Sequence, residues 1–185
     1  GGLDAVVSNA GITSPAPLID LSVSKWDKLL NVNTRATLLL AQAAYPALKE
    51  SKGALVAVAS MSGMGAHPGM GAYSPSKAAL ISLCQVLAQE WACDGINVNT
   101  VSPGMIRTPL TQKVYENNQI AKERAALVPW GRVGNPEDIS NVISFLLSPE
   151  ANYITGQNIL VDGGFVDSLY RHIPGLPDSS EIEKT

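Results

Sequence analysis

Short apolar runs of strand length alternate along this chain with longer stretches in which apolar residues recur at helical spacing. The first run is followed at once by turn-forming Asn and Gly, so a buried strand is predicted over Leu3–Val7, ending in Ser8-Asn9-Ala10-Gly11. Three further apolar runs predict strands at Gly53–Ala59, Ile96–Val101 and Asn158–Val161, the last of them broken by Asp162-Gly163-Gly164.

Helical periodicity fills the intervals between these strands. Asn135-Pro136-Glu137-Asp138 is typical of a helix start, because Asn caps the first turn, Pro suits the first helical position and acids favour the positive end of the dipole. That helix should end before Pro149, and the tail from Pro174 onward should be a loop. Further helices are predicted at about Ser24–Ala44, at Ser74–Ala92 and in a region that Thr108 opens as a cap, with Pro109 at the first helical position.

The helix predicted at Ser74–Ala92 carries an apolar face. Its core residues fall at helical spacing and are Leu80, Leu83, Cys84, Leu87 and Trp91. Ile81 and Val86 widen the apolar arc beyond a single stripe, which indicates a second covered face.

Alternation of strands and helices predicts an α/β fold, in which crossover helices connect the parallel strands of one sheet. Ligands bind such sheets just beyond the carboxyl ends of the strands. The polar and Gly-rich segments should therefore converge on one crevice; they are Ser8–Gly11, Ser60–Gly63, Ser102–Gly104 and Asp162–Gly164.

Composition describes an ordinary globular protein, with 45% apolar and 16% charged residues among 185. The net charge of −3 and the scattered Lys and Arg argue against a nucleic-acid surface. No apolar run approaches the ~20 residues that span a bilayer, and the first residues do not resemble a signal peptide. Cys84 and Cys93 lie in one predicted helix and are expected to be free thiols, so a cytoplasmic setting is predicted.

Tyr73 and Lys77 lie four residues apart, on one face of a predicted helix. A free tyrosine has a pKa of about 10, and a neighbouring ammonium would lower that pKa toward the range of general acid–base catalysis. Such a pair is weak evidence alone, because many helices carry one on their surface. Ser60, thirteen positions before Tyr73, ends a predicted strand and should present its hydroxyl in the same crevice, where Ser62 competes for this role.

Segments from Leu3 to about Phe165 match, in order and spacing, the motifs of a known family. They are Ser8-Asn9-Ala10-Gly11 (with Ser in place of the family's first Asn), Asn31-Val32-Asn33-Thr34, Val58–Gly63, Tyr73–Lys77, Asn97–Gly104 with Thr108, Gly131–Asp138 and Val161–Gly164. The chain resembles the short-chain dehydrogenases/reductases in their compact, single-domain form. The resemblance implies a Rossmann-like, doubly wound parallel sheet in three α/β/α layers.

The same resemblance implies NAD or NADP as cofactor and the interconversion of an alcohol and a ketone or aldehyde, with no metal. Tyr73 would donate or accept the hydroxyl proton, and Ser60 would orient the substrate oxygen. Lys77 would lower the Tyr73 pKa and hold the nicotinamide ribose, and Asn33 would position a water as a proton relay. Main chain at Asn9, Ala10 and Gly11 would line the adenosine side, and the nicotinamide would be bordered by Pro103, Gly104, Ile106 and Thr108.

The role of Thr108 has two interpretations. It is either a cofactor contact or only a helix cap.

The resemblance also implies an oligomer. Family members commonly pair two helices like Ser74–Ala92 between subunits, so a homodimer or homotetramer is expected.

The Gly-rich phosphate-binding turn of doubly wound folds is not found in these 185 residues. Residues 1–165 are therefore expected to be the C-terminal portion of one NAD(P)-binding domain, followed by a tail at 166–185. At ~30 residues per βαβ unit, more than about 60 residues should precede it. The strand at Leu3–Val7 would otherwise present an open apolar edge.

Three alternatives compete with this function. Ser74-Pro75-Ser76-Lys77 fits the Ser-x-x-Lys of penicillin-binding proteins and β-lactamases, although their companion motifs do not occur here. A non-catalytic relative would keep the fold for binding or assembly. The third alternative is an enzyme that uses the same cofactor but catalyses a net epimerisation or dehydration.

Overall fold

The computed structural model describes residues 1–175, and its four strands form one sheet in the order β1-β2-β3-β4. The strands are β1 (Ala5–Ser8), β2 (Ala54–Val58), β3 (Asn97–Pro103) and β4 (Asn158–Val161). All neighbouring pairs are parallel. The predicted α/β class is confirmed, and each strand lies within two residues of its predicted bounds. Beyond residue 175, the predicted C-terminal loop lies outside the described residues.

The described chain forms two compact units. The first consists of Gly1–Pro103 and Pro136–Val161 and contains the whole sheet. The second consists of Gly104–Asn135 and residues 162–175.

Six α-helices lie among residues 1–175: α1 (Val23–Leu30), α2 (Ala36–Ser51), α3 (Tyr73–Trp91), α4 (Gln112–Tyr115), α5 (Asn118–Leu127) and α6 (Pro136–Leu146). Helix α6 begins at Pro136 with two acids in its first turn, as predicted. None of the helices described here is long and apolar enough to cross a membrane.

The helix predicted at Ser24–Ala44 is present but is divided and longer. A π-helical turn, Asn31–Arg35, separates α1 from α2, and α2 continues through Pro46 to Ser51. Proline removes one helical hydrogen bond, but α2 buries Ala41, Ala44 and Leu48 against the sheet. Tertiary packing therefore outweighs the local cost of the proline.

The helix start predicted at Thr108-Pro109 is wrong. Thr111 N–H donates to the Thr108 carbonyl at 3.0 Å, which closes a turn with Pro109 at its second position, where proline is favoured. The Thr111 hydroxyl accepts from Thr108 N–H at 3.0 Å and donates to the Ile106 carbonyl at 2.7 Å. Helix α4 begins only after this turn, at Gln112.

The central strand β2 is covered on both faces. Leu55 and Val56 point to opposite faces of the sheet, and both are fully buried. Helix α3 contributes most of its predicted core residues to the cluster around this strand: Leu80, Cys84, Leu87 and Trp91 are buried, and Leu83 is partly buried against them. Of the two residues that widen the apolar arc, Ile81 is partly buried against the same cluster, whereas Val86 is 51% exposed.

We expect the Gly53→Ala substitution to destabilise the fold. An added Cβ would overlap the Asp4 carbonyl oxygen and the Leu48 side chain, where α2 turns into β2. Overpacking of this kind costs about 1–3 kcal/mol of unfolding free energy, which urea denaturation would measure. Gly65→Ala is the matched control, because its Cβ would meet nothing within 4 Å and its effect should stay within about 0.5 kcal/mol. Equal stability of the two variants would contradict the close approach at Gly53.

Candidate active site

Ser60 lies just beyond the carboxyl end of β2. Ala59 N–H still donates to the Val101 carbonyl of β3 at 2.7 Å, after which the chain leaves the sheet. Ser60 is extended and buried, and its Oγ accepts a hydrogen bond from Ser62 N–H at 3.1 Å. This contact caps a short 3-10 turn, Met61–Gly63, and fixes where the Ser60 side chain stands.

Helix α3 begins at Tyr73 and places Tyr73 and Lys77 one turn apart on the same face. Lys77 is buried, and its Nζ donates to the Val58 carbonyl at 2.8 Å. The same Nζ lies 6.0 Å from the centre of the Tyr73 ring. The lysine therefore ties α3 to the end of β2, two residues before Ser60.

The electrostatics of this pair differ from the sequence prediction. Burial lowers the pKa of Lys77 from 10.5 to about 8. Burial also raises the pKa of Tyr73 above its usual value, and the interaction with the Ser60 side chain lowers it only in part. The expected lowering of the Tyr73 pKa by Lys77 is not what this structure shows, because burial has the largest effect on the pKa of the phenol, and Lys77 Nζ donates to the Val58 carbonyl.

Asn33 lies in the π-helical turn and is 1% exposed. Its Oδ1 accepts from Ile12 N–H at 2.8 Å, and its Nδ2 donates to the Ile12 carbonyl at 3.0 Å and to Ser76 Oγ at 2.9 Å. Both amide hydrogens of Asn33 are thus engaged, and only the second lone pair of Oδ1 can still accept a hydrogen bond from a water. Asn33 joins the segment after β1 to the first turn of α3.

The segment after β1 approaches the lysine through a glycine. A Cβ added at Gly11 would stand 3.3 Å from Lys77 Nζ and 3.5 Å from Asn33 Oδ1. Asn9, Ala10 and Gly11 are exposed. The missing side chain thus leaves space between the ammonium and the amide oxygen, next to open main chain.

Ser62 is engaged elsewhere. Its Oγ lies 3.1 Å from His67 Nδ1, and His67 N–H donates to Ser74 Oγ at 3.2 Å. These three residues line a cavity of about 410 Å³ whose walls do not include Tyr73. Of the two candidate serines, Ser60 is therefore the one associated with Tyr73. Ser74 and Lys77 bond different groups, so a Ser-x-x-Lys hydrolase arrangement is not favoured.

The remaining predicted cofactor residues lie at the end of β3 or after it. Pro103 is the last residue of β3 and pairs with Val161 of β4. The others belong to the second unit, where Gly104 lies so close to Asp162 that a Cβ would overlap it. Ile106 forms a bridge with Gly134, and the Thr108 hydroxyl lies 3.3 Å from that of Thr111.

Sequence reasoning missed several groups that hold the site. Ser76 Oγ donates to the Tyr73 carbonyl at 2.7 Å, and Thr34 Oγ1 donates to the Ser76 carbonyl at 2.7 Å. A serine three residues after a helix start is a weak signal for such a bond. Main-chain acceptors such as Val58 have no sequence signal at all, because every residue carries a carbonyl.

Comparison with known proteins places the chain in a family. The profile described as enoyl-(acyl carrier protein) reductase matches residues 1–166. The 3-oxoacyl-[acyl-carrier-protein] reductase FabG of Thermotoga maritima is 41% identical over 168 residues, which cover 90% of this chain and 67% of FabG. The (3R)-3-hydroxyacyl-CoA dehydrogenase of Mus musculus is 40% identical over 161 residues, covering 86% of this chain and 61% of that protein.

Solved structures of dehydrogenases have the same fold as this chain. A putative 2-deoxy-D-gluconate 3-dehydrogenase from Agrobacterium tumefaciens with bound NADP superposes with a TM-score of 0.84 at 34% identity, covering 90% of this chain and 69% of that one. A 4-hydroxyisoleucine dehydrogenase complexed with NADH gives 0.84 at 36% identity, with 89% and 68% covered.

The parallel sheet with its helices is a Rossmann-like α/β fold. The chain belongs to the short-chain dehydrogenase/reductase family. It spans 51–68% of the length of the curated relatives that it matches.

We expect one lysine of this protein to titrate near pH 8, because burial disfavours the charged form of Lys77. The folded pKa lies below the unfolded value, so the unfolded chain binds more protons between about pH 8 and 10.5 and stability should rise with pH across this window. NMR of 13Cε-labelled lysines would follow the titration, and the signal should vanish in Lys77→Met. If every lysine titrates above pH 9, the burial described for Lys77 is wrong.

Proposed function

We propose that the protein is an NAD(P)-dependent oxidoreductase that interconverts an alcohol and a ketone or aldehyde. One observation carries the proposal: Tyr73 and the buried Lys77 share a face of α3, and Lys77 Nζ donates to the Val58 carbonyl at the end of β2, two residues before Ser60. Two structural relatives whose names describe them as bound to NADP or NADH support the cofactor.

Tyr73 moves the proton. Its raised pKa keeps the phenol in the hydroxyl form near neutral pH, which is the form that donates. In reduction, the O–H bond of Tyr73 breaks as the carbonyl oxygen takes the proton; in oxidation, the alcohol proton returns to Tyr73. The protonated resting form suits the reducing direction.

Ser60 holds the substrate oxygen. Its Oγ accepts from Ser62 N–H, so the Ser60 hydroxyl hydrogen remains for donation, to the Tyr73 phenol without substrate and to a substrate oxygen beside that phenol when substrate is bound. A hydrogen bond placed at the reacting oxygen strengthens as negative charge develops there. The 3-10 turn at Met61–Gly63 keeps this donor in place before substrate arrives.

The residues around Lys77 fit a nicotinamide cofactor. The ammonium has three N–H groups and uses one on Val58, which leaves two donors for ribose hydroxyls beside the open main chain of Gly11. When bound, the nicotinamide supplies or accepts the hydride. The gap between Lys77 Nζ and Asn33 Oδ1 would hold a water that passes the proton from the site toward solvent. Asn9 and Ala10, together with Pro103, Gly104, Ile106 and Thr108, would border the cofactor.

We expect Tyr73→Phe in the full-length protein to lower kcat between about 100-fold and 10,000-fold, because only the proton-transferring hydroxyl is removed. NAD(P)H oxidation or formation followed at 340 nm across alcohols and carbonyl compounds would measure it. Tyr153→Phe changes a fully exposed tyrosine and is the control. Unchanged turnover in Tyr73→Phe would overturn the mechanism.

Apolar surface on two helices supports assembly as a homodimer or homotetramer. Leu39 and Leu40 of α2 are 57% and 40% exposed, and Val86 of α3 is 51% exposed. Exposed apolar groups of this kind mark interfaces when they are contiguous on helix faces.

We expect Val86→Glu in the full-length protein to weaken the assembly, because the substitution would bury a charge in the contact between subunits. Light scattering should then give a mass closer to that of one chain. Asn141→Glu adds the same charge on an exposed position of α6 and should leave the mass unchanged. A wild-type protein of single-chain mass would refute the assembly.

A further inference from the structure

A cavity of the first unit adjoins the 3-10 turn that Ser60 caps. It measures about 410 Å³, within the range of roughly 300–1,000 Å³ that is usual for small-molecule sites. Three stretches of chain enclose it: the segment before α1, the loop between β2 and α3, and the first two turns of α3. The cavity therefore belongs to the part of the molecule that holds Ser60 and Tyr73.

The walls of this cavity are apolar. Four of its lining residues are glycines, and six others have apolar side chains: Leu18, Met64, Ala66, Pro68, Pro75 and Ala78. None of the described residues that line it is Asp, Glu, Lys or Arg. Leu18 and Met64 are 64% and 51% exposed, so apolar surface at the rim remains in contact with water. Covering such surface with an apolar ligand group is favourable.

The polar lining residues already bond one another. Ser62 Oγ lies 3.1 Å from His67 Nδ1, and His67 N–H donates to Ser74 Oγ at 3.2 Å. A charged ligand group would lose its water on entering an apolar cavity, which is costly, whereas an apolar group would not incur that cost. The cavity therefore selects uncharged, apolar groups.

Main-chain hydrogen bonds hold the walls in place. Gly65 N–H donates to the Met61 carbonyl at 3.0 Å, and Gly71 N–H donates to the Ala16 carbonyl at 3.0 Å. Ala16 and Met70 also form a parallel bridge, which joins the segment before α1 to the loop after β2. A site that is fixed before its ligand arrives loses less conformational entropy on binding.

Short stretches of chain connect the cavity to the proton-transfer site. Ser62 lines the cavity, and its N–H donates to Ser60 Oγ at 3.1 Å. On α3, Ser74 lines the cavity and directly follows Tyr73. A substrate whose reacting oxygen lies at Ser60 and Tyr73 can therefore extend a substituent along both elements into the cavity.

Gly65 leaves part of the cavity open. A Cβ added at this position would meet nothing within 4 Å. Its φ lies outside the left-handed region that favours glycine, so the backbone accepts a larger residue there. A large side chain at position 65 would therefore occupy the cavity itself.

We infer that this cavity binds an uncharged, apolar arm of the alcohol or carbonyl substrate, so that a hydrophobic substrate is preferred over a short or a charged one. The inference rests on the proposed function, which supplies the reacting oxygen. It names a substrate class and a binding subsite beyond the Ser60, Tyr73 and Lys77 group. At about 30 Å³ for each water-sized group, the space suits an arm of up to roughly ten non-hydrogen atoms.

The test compares three ketones in the full-length protein: 2-butanone, 2-octanone and 7-oxooctanoate, whose arm ends in a carboxylate. Consumption of NADH or NADPH at 340 nm should give a kcat/KM for 2-octanone that exceeds that for 2-butanone by between about tenfold and 200-fold, because four more methylenes are buried. The kcat/KM for 7-oxooctanoate should be at least about tenfold below that for 2-octanone. Equal values for the three ketones would overturn the inference.

Two variants fill the cavity from different elements. Gly65→Phe should lower kcat/KM for 2-octanone at least about tenfold and change that for 2-butanone less than about twofold, because the ring replaces the arm. Ala78→Leu, which is compatible with helix α3, should act in the same direction. Ser144→Phe adds the same ring at an exposed position of α6 and is the control. Losses of equal size on both ketones in the two cavity variants would contradict the subsite.

Binding without cofactor separates this inference from the proposed function. With 13C-methyl-labelled methionine, the Met64 signal, assigned by its loss in Met64→Leu, should shift on titration with 2-octanone in the wild type and not in Gly65→Phe. If no ketone is turned over but the signal shifts, the proposed reaction fails and the apolar site stands. If ketones are turned over with no shift and no preference for 2-octanone, the proposed function stands and the inference fails.

Light scattering distinguishes a substrate arm from a second copy of the chain as the occupant. A Gly65→Phe protein of wild-type mass that has lost the preference for 2-octanone supports the substrate arm. A Gly65→Phe protein of lower mass that keeps this preference would assign the cavity to a contact between copies, and the inference would then be wrong.

Discussion

The candidate site depends on one buried cation. Lys77 is 3% exposed, and a charged group in that position must find an acceptor or lose its proton. The Val58 carbonyl at 2.8 Å provides that acceptor, and burial lowers the pKa of the Lys77 ammonium to about 8. Because Val58 lies two residues before Ser60 and Lys77 four after Tyr73, this single bond sets the strand end against the helix start.

Local pattern was sufficient to predict the sheet and the meeting of Ser60, Tyr73 and Lys77. Period and turn residues define the strands, and parallel strands present their carboxyl ends on one edge, which brings Ser60 beside α3. The pKa direction of Tyr73 was not predictable in this way. It depends on burial by residues distant in sequence, and the Lys77–Tyr73 spacing says nothing of which carbonyl the ammonium bonds.

The error at Thr108 has a different cause. A threonine followed by proline is compatible both with a helix cap and with the first two positions of a β-turn. What decides between them is Thr111, whose hydroxyl bonds both Thr108 and Ile106 and so completes the turn before α4 can begin. Two local rules fit the same dipeptide, and the choice is made three residues further on.

The π-helical turn at Asn31–Arg35 links backbone irregularity to chemistry. Deleting one residue from it would allow α1 and α2 to merge into an uninterrupted α-helix, which is the more favourable local backbone. The same deletion would rotate one side of the helix by about 100° against the other. The Asn33 amide would then move away from Ile12 and Ser76, so in this segment a regular helix and the observed contacts of Asn33 are mutually exclusive.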